Sequence, residues 1–240
     1  MKINYSFYNN NFKKTILLIH GWGVDSSYME SLKDFLIKDF NVLIIDLPGH
    51  WKSILEKEFT IEDYVENIHF IVEKENITNL YIIGHSFGGK IGGFYALKYR
   101  VEGEILISPS LIKPRVSIKK IIKVFLYKLL KKLHLPIPLF LKGSRDYKRT
   151  KGLVRKTFLN VVNSYLSKEE LNKINTSIIL IGFNNDKEVR IYQMKKLNKY
   201  LKNSKLFIYE GDHFSYFSYF KEIRVLLNLI GSEIWTYYLI

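Results

Sequence analysis

The segment Gly84-His85-Ser86-Phe87-Gly88 carries the clearest chemical signal in the chain. It follows the apolar run at 80–83 and precedes a helical pattern over 86–98. Glycine, any residue, serine, any residue, glycine between a strand and a helix is the layout of a nucleophile elbow. A turn that tight strains the serine backbone, and side chains two residues to either side would collide with neighbouring chain. Glycine at 84 and 88 removes those collisions and leaves the Ser86 hydroxyl at the carboxyl edge of a sheet. The helix that follows sets its N-terminus beneath that hydroxyl, where it favours negative charge.

A second small-residue loop, His20-Gly21-Trp22-Gly23, follows the apolar run at 16–19. Such a loop can bring a backbone N–H close to the serine. The N–H groups of Trp22 and Phe87 would together form an oxyanion hole for a tetrahedral intermediate. His20 is expected to be a buried histidine that braces the loop by hydrogen bonds, not a catalytic group. Trp22 is also placed to wall an acyl pocket.

These loops need a scaffold, and the pattern of the chain supplies one. Short apolar, β-branched runs at 16–19, 42–45, 80–83, 105–107, 178–181 and 206–209 read as strands buried on both faces. Amphipathic stretches lie between them, the signature of βαβ units around a mostly parallel sheet. Ser26 or Ser27 opens one helix, Thr60 with Asp63 forms a capping box for another, and later helices are expected over 189–201 and 216–230. An opening strand at 2–7 is expected to pair through a turn at 9–11. The alternation breaks once, from 111 to 166, where helical patterns follow one another without a strand. The expected organisation is therefore a core of 1–110 and 167–240 with a helical cap inserted at 111–166.

The 240 residues suit one such domain, and 15% aromatic residues exclude low-complexity disorder. With no cysteine, disulfides, thiolate metal sites and a cysteine nucleophile drop out together. Neither H-E-x-x-H nor a phosphate-binding G-x-x-x-x-G-K-[ST] loop occurs, so no metal, cofactor or nucleic acid is expected. The N-terminus lacks an apolar signal region, and no run of about 20 apolar residues occurs. A soluble cytoplasmic protein is the expectation; the most apolar candidate against it, 225–240, is interrupted by Asn228, Ser232 and Glu233.

The elbow, the HGWG loop and the stretch Asp46-Leu47-Pro48-Gly49-His50 resemble the α/β-hydrolase family, in that family's order and over nearly everything outside the insertion. The resemblance implies an acid after a late strand and a histidine after the last strand, completing a triad in the order Ser, Asp, His. The acid falls best at Asp186, although the glycine that the family shows three residues earlier stands here at 182, with Phe183 in its place. The histidine falls best at His213, and its neighbour Asp212 is too close in sequence to orient it. Trp51 is a second departure, at a position where the family commonly has glycine. The implied chemistry is that of a serine hydrolase on a small-molecule carboxylic ester, through an acyl-enzyme. Alternatives are a carbon–carbon bond hydrolase or thioesterase on an anionic acyl substrate, and a non-catalytic binding protein of the same fold.

The net charge of +14 is concentrated in one place. Between 111 and 156 there are 15 Lys or Arg residues and one acid, Asp146, whereas the rest of the chain is neutral. Within this segment Ile118, Ile121, Ile122, Phe125, Leu129, Leu130 and Leu133 recur at helical spacing among Lys119, Lys120, Lys123, Lys128, Lys131 and Lys132. Two readings stand. The helix is a lid whose apolar face roofs the active site, with solvated lysines that reflect lysine-rich coding bias. Or it is a basic amphipathic helix that meets an anionic membrane surface or an acidic carrier.

Overall fold

A computed structural model describes residues 3–138, 141 and 143–230, without the side chains of Lys119, Lys120 and Arg145. Lys2 and the part of the apolar C-terminal stretch from 231 onward lie outside the described residues. One seven-stranded sheet organises the chain: β1 (Tyr5–Tyr8), β2 (Thr15–Ile19), β3 (Asn41–Ile45), β4 (Leu80–His85), β5 (Gly103–Ile107), β6 (Ile178–Phe183) and β7 (Ser204–Tyr209). The spatial order is β1-β3-β2-β4-β5-β6-β7, and every pairing is parallel except that of β1 with β3. Each of the six expected strands is present, and five are buried; β7 is only partly so, because it ends the sheet and one of its edges has no neighbour.

The apolar runs are continuous because both faces of the sheet are covered. Alternate residues such as Ile16, Leu18 and Ile83 pack against α1 (Ser27–Leu36) and α9 (Phe220–Leu229). Their neighbours Leu17, Ile19 and Ile82 pack against α2 (Ile61–Lys74) and α3 (Phe87–Lys98). On that same side α8 (Ile191–Tyr200) covers Leu106 and Leu180 through Met194 and Leu197. The capping box of α2 forms as expected, with the Thr60 side chain accepting from Asp63 N–H and the Asp63 carboxylate from Thr60 N–H. At the C-terminal side, a 3-10 turn over Ser215–Ser218 precedes α9, so the expected helix starts later than its apolar pattern does.

The first strand departs from expectation. It does not pair across the turn at 9–11 with β2, because β2 already has parallel neighbours on both edges. β1 instead takes the free edge of β3, with Tyr5 opposite Ile45 and Tyr8 opposite Val42. The Asn41 side chain steers it there. Its oxygen accepts from Asn10 N–H at 2.9 Å and Phe12 N–H at 3.0 Å, and its amide donates to the Phe12 carbonyl at 2.8 Å.

Between β5 and β6 the described residues form only helices: α4 (Ile118–Lys132), α5 (Arg145–Arg149), α6 (Gly152–Val162) and α7 (Lys168–Leu171). The α6 region is tied to the sheet layers. Phe59 N–H donates to Thr157 Oγ1 at 3.0 Å, and the buried Lys90 ammonium on α3 donates to the Val161 carbonyl at 3.0 Å. Helix α4 overturns the lid reading. Its apolar stripe is exposed, with Ile118 75%, Ile121 55% and Phe125 63% accessible, and α5 and α6 rather than α4 stand over the cavity that holds Ser86.

One core residue conflicts with its surroundings. Glu104 on β5 is fully buried, and neither carboxylate oxygen has a hydrogen-bond partner. Burial pushes its pKa up from 4.5 to about 8. A raised carboxyl pKa means that the folded state holds a proton that the unfolded chain has released. Stability is therefore fullest below pH 4.5 and falls as pH rises toward 8, by up to about 1.4 kcal/mol per pH unit from this group. Glu104→Gln is expected to melt with a flatter pH dependence than wild type across that window. Identical profiles in thermal melts would exclude a buried, protonated Glu104.

Candidate active site

Ser86 lies between β4 and α3 with φ +53° and ψ −105°, a conformation that L-residues adopt only under constraint. The constraint is visible on both sides. Ser86 N–H donates to the Ile107 carbonyl at 2.8 Å, and its carbonyl accepts from Lys90 N–H at 3.0 Å and Ser110 N–H at 3.2 Å. A Cβ at Gly84 would stand 2.5 Å from the Gly88 carbonyl oxygen, and one at Gly88 only 2.1 Å from the Ile19 carbonyl oxygen. Both obstacles are backbone, so only glycine fits at either position. The first intrahelical bond of α3 is the one from Lys90, which leaves the N–H of Phe87 among the unshared donors of the first turn.

The HGWG loop lies directly against this turn, since a Cβ at Gly21 would sit 3.5 Å from Ser86 Cβ. His20 braces it as expected. Its Nδ1 contacts the Gly21 carbonyl at 2.7 Å, so this nitrogen carries the proton, and its Nε2 accepts from Leu47 N–H at 2.9 Å. Burial and the nearby His50 push its pKa down to about 3, so it stays neutral. Gly23 N–H donates to His50 Nε2 at 3.1 Å, and the rings of Trp22 and His50 meet edge to face with centroids 4.8 Å apart. Two cavities open on both Trp22 and Ser86, one of about 670 Å³ and one of about 180 Å³.

After β6 the chain turns so that Asp186 points back beneath the sheet edge, its carboxylate buried. Oδ1 accepts from the N–H groups of Glu188 at 2.8 Å and Val189 at 2.9 Å. Oδ2 accepts from Ser108 Oγ at 2.8 Å and stands 2.8 Å from His213 Nδ1. Burial opposes ionisation, but the bond to His213, its charge, and the Val189 and Ser108 donors together hold this carboxyl below the usual range. The displaced glycine does not disturb the loop. Phe183 ends β6 fully buried, and Asp186 N–H closes a turn onto its carbonyl.

His213 lines the larger cavity together with Ser86. His85 supports it from below, with Nε2 2.8 Å from the His213 carbonyl, and burial and the proximity of His213 push the His85 pKa down to about 3. Asp212 faces elsewhere. Its Oδ1 accepts from Phe214 N–H and Ser215 Oγ and shapes the turn before α9. The structure thus brings Ser86, Trp22, Phe87, Asp186 and His213 to one end of the sheet.

Sequence reasoning missed several groups here. Ser108, with φ +43°, is the fourth partner of the Asp186 carboxylate; its position directly after β5 was the available signal, since ligands gather at the carboxyl ends of such strands. Glu188 approaches His213 Nε2 at 3.9 Å, and Lys90, pushed down to about 8 by burial, lines the smaller cavity. Arg149 and Lys151 line the larger one. Trp51, where the resembled family has glycine, takes φ +44° and is 70% exposed at the cavity rim. Among the described residues, no cluster of three His, Cys, Asp or Glu side chains is arranged to hold a metal ion.

The sheet order, the strained serine between β4 and α3, and the loops gathered at the same edge define an α/β-hydrolase fold. The family model described as "alpha/beta hydrolase fold" matches residues 14–131. A "Probable serine hydrolase" of Drosophila melanogaster is 31% identical over 118 residues, 48% of this chain and 36% of that protein. Human "Monoacylglycerol lipase ABHD6" is 34% identical over 101 residues, 40% of this chain and 30% of that protein. These matches therefore span about a third of each relative. Among solved structures, a bacterial membrane phospholipase A superposes with a TM-score of 0.77 at 20% identity, covering 95% of this chain and 83% of that one. No helix among the described residues is long and apolar enough to cross a membrane.

Proposed function

We propose that the protein is a serine hydrolase that cleaves a carboxylic ester of a small molecule. The observation that carries this reading is the 2.8 Å contact between His213 Nδ1 and Asp186 Oδ2, in a cavity shared with a serine held at φ +53°. With Asp186 fixing the proton on Nδ1, His213 Nε2 is the basic nitrogen and takes the Ser86 proton as Oγ attacks the ester carbonyl. The tetrahedral oxyanion is held by the N–H groups of Trp22 and Phe87, each worth about 2.7–4 kcal/mol in comparable sites. Collapse expels the alcohol, which takes the proton from His213 and leaves an acyl-serine. Water, deprotonated by His213, then hydrolyses it.

Residues 111–166 act in this reading as a cap on the core of 1–110 and 167–240, with α5 and α6 covering the cavity. A second reading, a thioesterase or carbon–carbon bond hydrolase on an anionic acyl substrate, would use Lys90, Arg149 and Lys151, which line the two cavities together with Asp25, Asp146 and Glu188. A panel of p-nitrophenyl esters and acyl thioesters of increasing chain length separates the two. Turnover is expected to be highest on oxygen esters. Thioester turnover well above the matched oxygen ester would favour the second reading, and no turnover on either class would leave a binding protein.

A further inference from the structure

Helix α4 presents the wrong face to the protein for a lid. Its least exposed positions are Lys123, Tyr127 and Leu130, which fall on one side of the helix. The stripe of Ile118, Ile121, Ile122, Phe125 and Leu129 lies on the opposite side, 40–75% accessible. Solvated apolar stripes of this kind are costly in a soluble monomer and mark an interaction surface. The helix carries no acid; Lys128 borders the stripe along one edge, and Lys132, seven residues after Phe125, closes its C-terminal end. The surrounding segment, 111–156, holds 15 bases and a single acid, Asp146, which lies at the Ser86 cavities. An apolar stripe edged by lysines on a strongly basic segment is complementary to one kind of partner: a surface that is negative outside and apolar just beneath.

The inner side of α4 adds a second observation. Lys123, Val124 and Tyr127 face Phe158, Leu159 and Val162 of α6 across a largely apolar groove of about 640 Å³. Phe158 and Val162 also line the smaller cavity that contains Ser86. The groove and the serine are therefore neighbours through two shared side chains.

We propose that α4 docks the protein on an anionic lipid bilayer, with the apolar stripe sunk to the headgroup–acyl boundary and the lysines at the phosphates. The groove between α4 and α6 then leads an ester-bearing lipid chain from that surface toward Ser86. This second step rests on the proposed role of Ser86; the docking itself does not.

Flotation with phosphatidylcholine vesicles, with and without phosphatidylglycerol, tests both steps separately. Wild type and Ser86→Ala are expected to bind the phosphatidylglycerol vesicles equally, at least about tenfold more tightly than phosphatidylcholine alone, and to release as salt shortens the Debye length from ~30 Å at 0.01 M to ~3 Å at 1 M. Lys128→Gln/Lys131→Gln/Lys132→Gln should weaken binding by about fivefold per lysine removed. Ile121→Ser/Ile122→Ser/Phe125→Ser should lose it, while both triple variants keep turnover of a short soluble ester. Failure of wild type to float with phosphatidylglycerol vesicles at low salt overturns the docking, as does a dimer in sedimentation that the Phe125 variant dissolves without any vesicle binding. Vesicle binding with no hydrolysis of soluble or membrane-borne ester leaves the docking standing and overturns the reading of Ser86.

Discussion

Ser86→Ala is expected to lower ester turnover by about a millionfold while the protein keeps its fold. The side chain sits at the head of α3, where the conformation is imposed by backbone contacts that alanine can also make: the bond to the Ile107 carbonyl and the two bonds accepted from Lys90 and Ser110. Removing the hydroxyl removes the proposed nucleophile and little else. A fluorophosphonate probe should accordingly label wild type at Ser86 and leave Ser86→Ala unlabelled. Ser108 is the informative contrast, because it too stands at the sheet edge with a positive φ. Its hydroxyl is buried and donates to Asp186, so it has neither access nor a free base. Labelling that persists in Ser86→Ala, mapped by peptide mass, would move the nucleophile elsewhere.

The elbow was legible from sequence because the turn itself demands its glycines. Gly84 is held by the backbone of Gly88 and Gly89, and Gly88 by the Ile19 carbonyl of the adjacent β2, and backbone on either side leaves no room for a side chain. The buried strands were legible for a related reason: a parallel sheet covered on both faces needs unbroken apolar runs, and 42–45 or 178–181 can serve little other purpose. His20 was correctly read as a brace: it holds its own loop at the Gly21 carbonyl and ties it to the loop after β3 by accepting from Leu47 N–H. Asp186 and His213 rested on the order of loops in a resembled family. Nothing in their own spacing, 27 residues apart, says that they meet.

What sequence did not reveal depended on partners chosen at long range. The pairing of β1 turned on which strand edge stayed free and on an asparagine at the start of β3. The stripe of α4 was plain as a periodicity, yet a helix wheel gives two faces without naming which one meets the protein; the exposure of Phe125 and the shielding of Tyr127 decide it. Glu104 was equally hidden, since one carboxylate in the run GEILI looks like a strand end until β5 proves central.

Asp186→Asn is expected to cut kcat by about ten-thousandfold near neutral pH, and Asp212→Asn by less than about tenfold. An asparagine at 186 can offer its amide to His213 Nδ1, which would shift the ring proton to Nε2 and leave that nitrogen unable to accept from Ser86. At 212 the oxygen that matters accepts from Phe214 N–H and Ser215 Oγ, and the asparagine carbonyl does the same. Glu188 supplies a third arm. It approaches His213 Nε2, the nitrogen that takes the proton on the proposed path, and so cannot fix the tautomer from Nδ1; Glu188→Gln should leave kcat within about tenfold. The pH behaviour follows from the sign of the Asp186 shift. A depressed carboxyl pKa contributes stability that is complete above the unfolded value near 3.8 and is lost only as pH falls through the lower folded value. Asp186→Asn should therefore be less stable than wild type at neutral pH and converge with it in strong acid, which paired denaturation curves would show. Steady-state kinetics on the three variants then rank the acids. If Asp212→Asn or Glu188→Gln proved the crippled enzyme and Asp186→Asn the active one, the orienting acid would lie in another loop and the proposed proton path would have to be redrawn.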